Sequence, residues 1–440
     1  MNENNTEIIN WFRASTSYIN AHRNKTFVVL LAGEALADNN LPNVVSDLTL
    51  LHSLGVKLVL VHGARPQISA ALEKNGRKSK YHKNLRITEA ECMDTVMGAV
   101  GAESSKLEAL LSMGASNSSS HGIQPGLCRG NFVTAKPVGV HDGIDYQYTG
   151  NVRKIRVDAI EQQLDQNNIV LLSNLAFSLT GEVFNLTAEE IATEAAIALN
   201  AEKFILLVPE PGVIDDNGEL VLSLSESDAA SYAKKLSKLD EDAVCISHAL
   251  EACIRAYNNG VHRSHLVSFK ENGALIRELF TREGNGSLIS SDNFDNLRGA
   301  NIEDVSGILN LIKPLEENGT LVERSRELLE TEIENFKIVE LEESIIACAA
   351  LYDHGDGFGE VACIAIDSQF QKNGYGDRLL ASLETEAKNN GIDKLFVLTT
   401  VTAHWFLEKG FVESKISELP QQRQQLYNFQ RKSKVLTKTI

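Results

Sequence analysis

The sequence predicts an α/β protein in two parts: a parallel-rich sheet in an α/β layer fold up to residue 285, and a compact α+β unit from 297 to 440. Three observations carry this. Over the first part, short β-branched apolar runs alternate with amphipathic stretches; at 286–296 the pattern lapses into Gly, Ser, Asn and Asp; after it the rhythm changes to strands gathered around a long amphipathic helix. A chain of 440 residues also exceeds what one ordinary core holds.

Taken in order, the strands of the first part are "KTFVVLLAG" (25–33), "KLVLVHGA" (57–64), "NIVLLSNLA" (168–176) and "KFILLVPE" (203–210). Apolar runs without period-2 alternation are strands buried on both faces, and helices between them make the sheet parallel. Those helices are "NVVSDLTLLHSLG" (43–55) and "AEEIATEAAIALNAE" (188–202), whereas "GASNSSSHGIQPGLCRGN" (114–131) is Ser/Gly-rich and reads as a surface excursion. "TREGNGSLISSDNFDN" (281–296) contains the linker, 286–296. Beyond it come a helix, "IEDVSGILNLIKPLEENG" (302–319), two strands, "SIIACAALY" (344–352) and "EVACIAID" (360–367), a glycine turn, and the helix "DRLLASLETEAKNNG" (377–391).

Composition bounds the function. With 43% apolar and 23% charged residues, and no apolar run near the ~20 residues of a membrane span, the chain reads as soluble and globular. "MNENNTEIINWFRAS" has neither the basic nor the apolar region of a signal peptide. Six cysteines without a CxxC pair argue against a disulfide framework or a zinc site and for a reducing, cytoplasmic setting. The net charge of −17 argues against general nucleic-acid binding. One basic stretch, "FQRKSKVLTK" (429–438), stands out as an anion site.

The most informative segment is "ACIAIDSQFQKNGYGDRLLASLETEAK" (362–388). A buried strand runs into a turn whose glycines, Gly374 and Gly376, permit positive φ and close approach of a ligand. The amides at the following helix N-terminus then face an anion. The stretch resembles the acyl-CoA-binding motif of the GCN5-related N-acetyltransferase family, and "HWFLEKGF" (404–411) resembles that family's later motif at the family spacing. The resemblance implies that the amides of Gln371, Lys372, Asn373, Gly374, Tyr375 and Gly376 grip the pyrophosphate of acetyl-CoA. It also implies that the edge formed by Cys363, Ile364, Ala365 and Ile366 pairs with the pantetheine. Acetyl-CoA is then a co-substrate, with no permanently bound cofactor and no metal. Many members carry a tyrosine in the second motif as the acid for the departing thiolate; counting back from Gly410-Phe411, that place is Phe406. A substrate ammonium must lose a proton before it attacks a thioester. Glu360, at the start of the gripping strand, is the expected base, and Thr399 or Thr400 the expected proton donor.

The first part resembles the amino acid kinase family, acetylglutamate kinase in particular, through "VVLLAGEA" (28–35), "VHGARPQI" (61–68), "YHKNLRIT" (81–88), "FNLTAEEIA" (184–192) and "AEKFILLVPEPGV" (201–213). This implies an open parallel-rich sheet sandwiched by helices. It also marks departures. Leu30 stands at the place of the kinases' first lysine, Ala32-Gly33 replaces two glycines, Pro209 replaces an aspartate, and the second lysine near "HALEAC" (248–253) has no counterpart. Phosphoryl transfer rests on positioning and cationic stabilisation, so no kinase activity is expected. Some acetylglutamate kinases bind arginine as an inhibitor beside an N-terminal helix, here "TEIINWFRASTSYINAHR" (6–23). "RSHLVSFKENGALIRELFTREGNGS" (263–287) resembles that site, which implies arginine-binding roles for Tyr18, Lys203, His265, Glu278 and Gly284.

The two halves in this order resemble the bacterial N-acetylglutamate synthases across nearly the entire chain. That resemblance implies acetyl transfer from acetyl-CoA to L-glutamate as the first step of arginine biosynthesis, with feedback inhibition by L-arginine. It carries the glutamate clamp to Arg324, Arg431, Ser433 and the backbone of Cys363, and it implies a homohexamer built through the kinase-like domains. Two other readings stay open: a residual acetylglutamate kinase, and a non-catalytic arginine-binding regulatory protein.

Overall fold

Every strand expected in the first part lies inside one sheet, except that the run 168–176 leaves it after Ser173, its end joining the strand Leu175–Phe177 of a second sheet. The computed structural model describes residues 9–440 except 10, 14, 114–124, 240, 282–283, 291–295, 342–343, 372–373 and 426–432. The chain divides into two compact units, Met1–Ser291 and Asp292–Ile440.

Among the described residues the first unit holds an eight-stranded sheet. Its middle is five parallel strands in the order Arg263–Ser268, Lys203–Val208, Thr26–Leu31, Lys57–His62 and Asn168–Ser173. Side chains of successive residues point to opposite faces. Val28, Leu30, Val59, Val61 and Leu206 enter one apolar cluster, with Ile191, Ala195 and Leu250 from the helices Ala188–Ala198 and Glu241–Tyr257. Phe27, Val29, Leu31, Leu58 and Leu207 enter a second, with Val45, Leu48 and Leu275 from Leu41–Ser53 and Ala274–Phe280. Both faces are covered, and this is the physical reason the runs show no alternation.

Two expectations need correction here. Part of the expected linker, 286–296, is structured: Ser287–Ser290 is a strand antiparallel to Arg263–Ser268. Its small and polar residues read as linker because it lies near the sheet edge, where Ser287 Oγ accepts from Val213 N at 2.9 Å. Likewise the end of the expected excursion, Gly126–Cys128, is an edge strand beside Asn168–Ser173; residues 114–124 of that excursion lie outside the described residues.

The second unit is a seven-stranded sheet in the order Asn296–Gly299, Phe336–Leu341, Ser344–Asp353, Phe358–Ile366, Lys394–Thr399, Lys434–Thr439 and Val412–Ser414, among the described residues. All neighbours are antiparallel except Phe358–Ile366 with Lys394–Thr399, which are parallel. That parallel pairing runs Phe358–Lys394, Gly359–Leu395, Glu360–Phe396 and goes no further. The helix Tyr375–Asn389 covers one face through Leu379, Leu380 and Leu383. Val305–Glu317 covers the other through Ile308 and Ile312.

Because the central strand Lys203–Val208 packs on both faces, the first unit should be sensitive to cavities there. Phe204→Ala, at a fully buried position, is expected to cost about 3–5 kcal/mol. Urea unfolding followed by near-ultraviolet circular dichroism checks this, and a cost below about 1 kcal/mol would contradict the packing described.

Candidate active site

The geometry of the second unit follows from its one parallel pair. Past Glu360 and Phe396 the two strands separate, and between them opens a cleft of about 650 Å³ lined by Arg324, Tyr352, Glu360, Cys363, Thr399 and Arg423, among others. The separation has a local cause. Cys363 adopts a left-handed φ of 52°, rare outside glycine, and the register against Ser344–Asp353 shifts between Cys348 and Ala350. This is a β-bulge, which bends its strand and re-aims the backbone. The edge formed by 361–366 therefore faces the cleft and not a neighbouring strand. An extended, amide-bearing molecule can pair there as an added strand.

The turn after this strand meets the expectation in part. Gly374 has φ 77° as N-cap of Tyr375–Asn389. Gly376, in contrast, is helical; a Cβ on it would lie 3.0 Å from Trp405 Cζ2 and 3.2 Å from Ile366 Cδ1. Its glycine is a matter of packing and not of backbone handedness. Gln371, Gly374 and Tyr375 precede or open the helix, while Lys372 and Asn373 lie outside the described residues.

Glu360 lies in the cleft and is 7% exposed. Its Oε1 accepts from Arg423 Nη2 at 2.8 Å, its Oε2 lies 2.8 Å from Arg423 Nε, and His354 Nε2 is 3.1 Å from Oε2. Burial pushes its pKa up, but the hydrogen bonds from His354 and Arg423 outweigh this and hold the carboxyl below its ordinary range. Thr399 is buried at the end of its strand; its Oγ1 accepts from Thr402 N at 3.1 Å and is 2.9 Å from Thr402 Oγ1. Thr400 is exposed. Phe406 is buried, edge-on to Trp405 and Phe411, and gives the cleft an apolar wall without a hydroxyl. Arg324 and Ser433 line the same cleft, and Arg431 lies outside the described residues. Tyr352 donates to Glu332 Oε2 at 2.7 Å. The Cys363 thiol sits in an apolar cluster with Cys348 and Ala365, and its carbonyl accepts from Cys348 Sγ at 3.6 Å.

In the first unit a polar chain crosses the apolar interior. Lys203 Nζ is 3.3 Å from His265 Nε2, His265 Nδ1 is 2.6 Å from Glu278 Oε1, and Asn285 N donates to Glu278 Oε2 at 2.7 Å. A Cβ on Gly284 would sit 2.8 Å from Glu278 Oε2. Tyr18 is buried on the helix Thr16–His22, in the same apolar cluster as Leu279 and Phe280 and stacked on His22. Four of the five residues expected to hold arginine thus meet around Glu278. The fifth is in the cluster beneath. Glu278 is already bonded by His265 and Asn285, an arrangement the sequence did not disclose.

The turns at 31–34 and 62–66 touch: a Cβ on Gly33 would lie 2.6 Å from Pro66 Cδ. Before them is a cavity of about 680 Å³ lined by Arg65, Arg86, Asn174 and His248, among others. Leu30 is buried in the apolar cluster behind. The cavity's arginines both stack on Tyr81, at 4.7 and 4.8 Å. Arg86 is a cation there that the sequence reading left out.

Known proteins match this description in both units. Residues 25–268 match the amino acid kinase family and 305–411 the acetyltransferase (GNAT) family. The amino-acid acetyltransferases of Ectopseudomonas mendocina and Azotobacter vinelandii are 49% and 50% identical over 435 residues, 99% of this chain and 100% of each relative. The chain belongs to the amino-acid acetyltransferase family. Solved structures of N-acetylglutamate synthase from Neisseria gonorrhoeae are also similar. The complex with coenzyme A and L-arginine has a TM-score of 0.86 at 35% identity, covering 98% of this chain and 99% of that one. The complex with coenzyme A and N-acetyl-glutamate has 0.62 at 36% identity, with the same coverage.

For this acetyltransferase the residues missed at the sequence level are Arg423, His354, Tyr352 and Glu332. His354 had a readable signal. "HGDG" joins two strands, and Gly355, Asp356 and Gly357 all take positive φ, as a tight hairpin demands. Reading the hairpin places Tyr352 opposite Glu360 and His354 opposite Phe358, two residues away and diagonal to Glu360. Arg423 had none, since "PQQRQQ" matches no motif.

The Glu278 chain generates a pH prediction. Burial, the largest single influence, pushes the Glu278 carboxyl up, but the hydrogen bond and charge of His265, the Asn285 amide and the Lys203 charge together outweigh it, leaving the carboxyl below its ordinary value of 4.5. A depressed carboxyl contributes stability that is complete above its unfolded pKa and is lost as pH falls through the folded value. Glu278→Gln should therefore flatten the loss of first-unit stability below about pH 4.5. Urea midpoints measured from pH 6 downward check this; parallel curves for the two proteins would contradict it.

Proposed function

We propose that this acetyltransferase moves the acetyl group of acetyl-CoA to the α-amine of L-glutamate, and that L-arginine inhibits it through the first unit. The observation that carries the reading is the cleft where strand pairing stops at Glu360 and Phe396. It combines an open backbone edge with a buried carboxylate, and the strand that supplies the edge leads on to the helix start at Gly374 and Tyr375. The N. gonorrhoeae complexes with coenzyme A, L-arginine and N-acetyl-glutamate support it.

On this reading the pantetheine pairs with the 363–366 edge, and the pyrophosphate lies against the amides that open Tyr375–Asn389. Arg324, Ser433, the Cys363 backbone and Arg431 hold the two carboxylates of glutamate. The substrate ammonium gives one proton to Glu360, directly or through a water. The amine nitrogen then bonds to the acetyl carbon, the C–S bond breaks, and the thiolate leaves with the nitrogen's second proton. Thr399 and its partner Thr402 provide hydroxyls for that transfer, because Phe406 provides none. In the first unit, Glu278 takes the guanidinium of arginine, with Lys203, His265, Gly284 and Tyr18 around it. The kinase-like cavity performs no phosphoryl transfer, since Leu30 and Pro209 carry no charge to it. A cytoplasmic homohexamer assembled through the kinase-like units belongs to the same proposal.

The test is CoA release from acetyl-CoA with and without L-glutamate, repeated with L-arginine. Glutamate-dependent release that arginine suppresses is expected. Release indifferent to arginine would remove the sensing role of the first unit, and no release with any amino acid would leave a regulatory binding protein. A second expectation concerns Arg324→Ala. It should raise the KM for glutamate roughly 10- to 100-fold, the worth of a charged hydrogen bond, and leave the KM for acetyl-CoA within about twofold. Equal losses in both would show that Arg324 does not face glutamate.

A further inference from the structure

Arg423 occupies an unusual place for a cation in a site that must bind an acid and deprotonate an ammonium. Its Nη2 donates to Glu360 Oε1 at 2.8 Å, and its Nε lies 2.8 Å from Oε2 as a charge contact without a hydrogen bond. The same side chain lines the cleft with Arg324 and Ser433. A guanidinium has five N–H donors in a fixed fork, and Glu360 faces two of its three nitrogens. The titratable groups acting on Glu360 are Arg423 and, across the hairpin, His354. The other ionisable side chains of the cleft include Glu323 and Arg324, Glu332 with Tyr352, and Cys363 on the strand of Glu360 itself. Arg423 sits on a single helical turn, Gln421–Gln425, where the amides of Arg423 and Gln424 both donate to Pro420 O, at 2.9 and 3.0 Å.

A carboxylate held this way is a weak base. Accepting a proton would give up the charge pairing with Arg423, one hydrogen bond and a second close contact, in a partly dry site. The catalytic role assigned to Glu360 and its geometry therefore conflict unless something offsets Arg423 at the moment of reaction. The substrate carries the means, because a carboxylate entering beside Arg423 competes for the same cation and adds a like charge near Glu360. Both effects raise the proton affinity of Glu360.

We propose that Arg423 is a positioning residue shared between Glu360 and a carboxylate of the substrate, so that substrate binding itself turns Glu360 into a competent base. This rests on reading the cleft as a glutamate acetyltransferase site. Amino acids lacking the second carboxylate bind without offsetting Arg423, and the enzyme discriminates against them in kcat as well as in KM. The proton moves as before, from the substrate ammonium to Glu360; what changes on binding is the affinity of the acceptor.

The experiment uses the full chain, with pH profiles of kcat and kcat/KM for glutamate in the wild type, Arg423→Gln and Arg423→Lys. The acid limb of kcat/KM reports the free enzyme and that of kcat the bound complex. Removing the cation raises the Glu360 pKa in the free enzyme, so in Arg423→Gln the kcat/KM limb should move up by about one pH unit or more. The kcat limb should stay within about 0.3 units, because in the wild-type complex the cation is already offset. Arg423→Lys keeps the charge without the fork; it should return the kcat/KM limb to the wild-type position while KM for glutamate stays raised. An unmoved kcat/KM limb in Arg423→Gln, or both limbs moving together, would overturn the proposal. If the Gln variant does not bind acetyl-CoA and so is misfolded, a displaced kcat/KM limb in the Lys variant overturns it equally. A wild type without glutamate-dependent CoA release would instead sink the underlying acetyltransferase reading, an outcome distinguishable from active wild type with an inert Arg423.

Discussion

A backbone amide or carbonyl that leaves water must find a partner, and in the second unit this requirement organises the site. The strand Phe358–Ile366 is paired along one side by Ser344–Asp353, but on the other only as far as Glu360. The bulge at Cys363 leaves the remaining edge unpaired on that side. The glycine turn and the helix start follow that edge in the chain, and Phe406 gives the cleft an apolar wall. A continuous parallel ladder here would satisfy every strand group internally and leave no cleft. The sheet is thus less complete than it could be, and the cleft depends on the omission.

The carboxylates of the two units show one electrostatic strategy at two sites. Glu360 and Glu278 are both removed from water, both bonded to a histidine, and both held ionised by hydrogen bonds that outweigh burial. Removing either partner would leave an uncompensated buried charge, which costs far more than the pair contributes. Such arrangements are rigid until another charge arrives. That suits a site that answers to a small charged molecule.

Much of this was legible in the sequence, for physical reasons. The runs "FVVLL" and "KFILLV" disclosed strands buried on both faces, because burial on both faces leaves no polar alternation to read. Gly374 disclosed a left-handed turn, and the motif around it disclosed the helix start that follows. Short elements near the sheet margin were less readable: Ser287–Ser290 is mostly buried but carries serines at both ends, and Gly126–Cys128 is a three-residue edge strand that opens on glycine. Partnerships between distant residues were not readable at all. Arg423 reaches Glu360 from 63 positions away and His265 reaches Lys203 across 62. Nothing local in either segment specifies the other, because the contact is made by the fold. Sequence pointed to Glu360 and Glu278 as charged groups of interest; only the structure showed that both are already engaged.

Leu30 bears on how such a chain could change over time. The position matching the kinases' first lysine is 3% exposed and sits among Val28, Val61 and Leu206 in the interior. An aliphatic side chain there fills the core and contributes packing energy that a lysine cannot. A lysine in its place would set a cation among apolar neighbours packed around leucine, at a cost of several kcal/mol. The surrounding layer in this sense keeps the position aliphatic. Variation in this domain is easier on its polar margins than at its apolar centre.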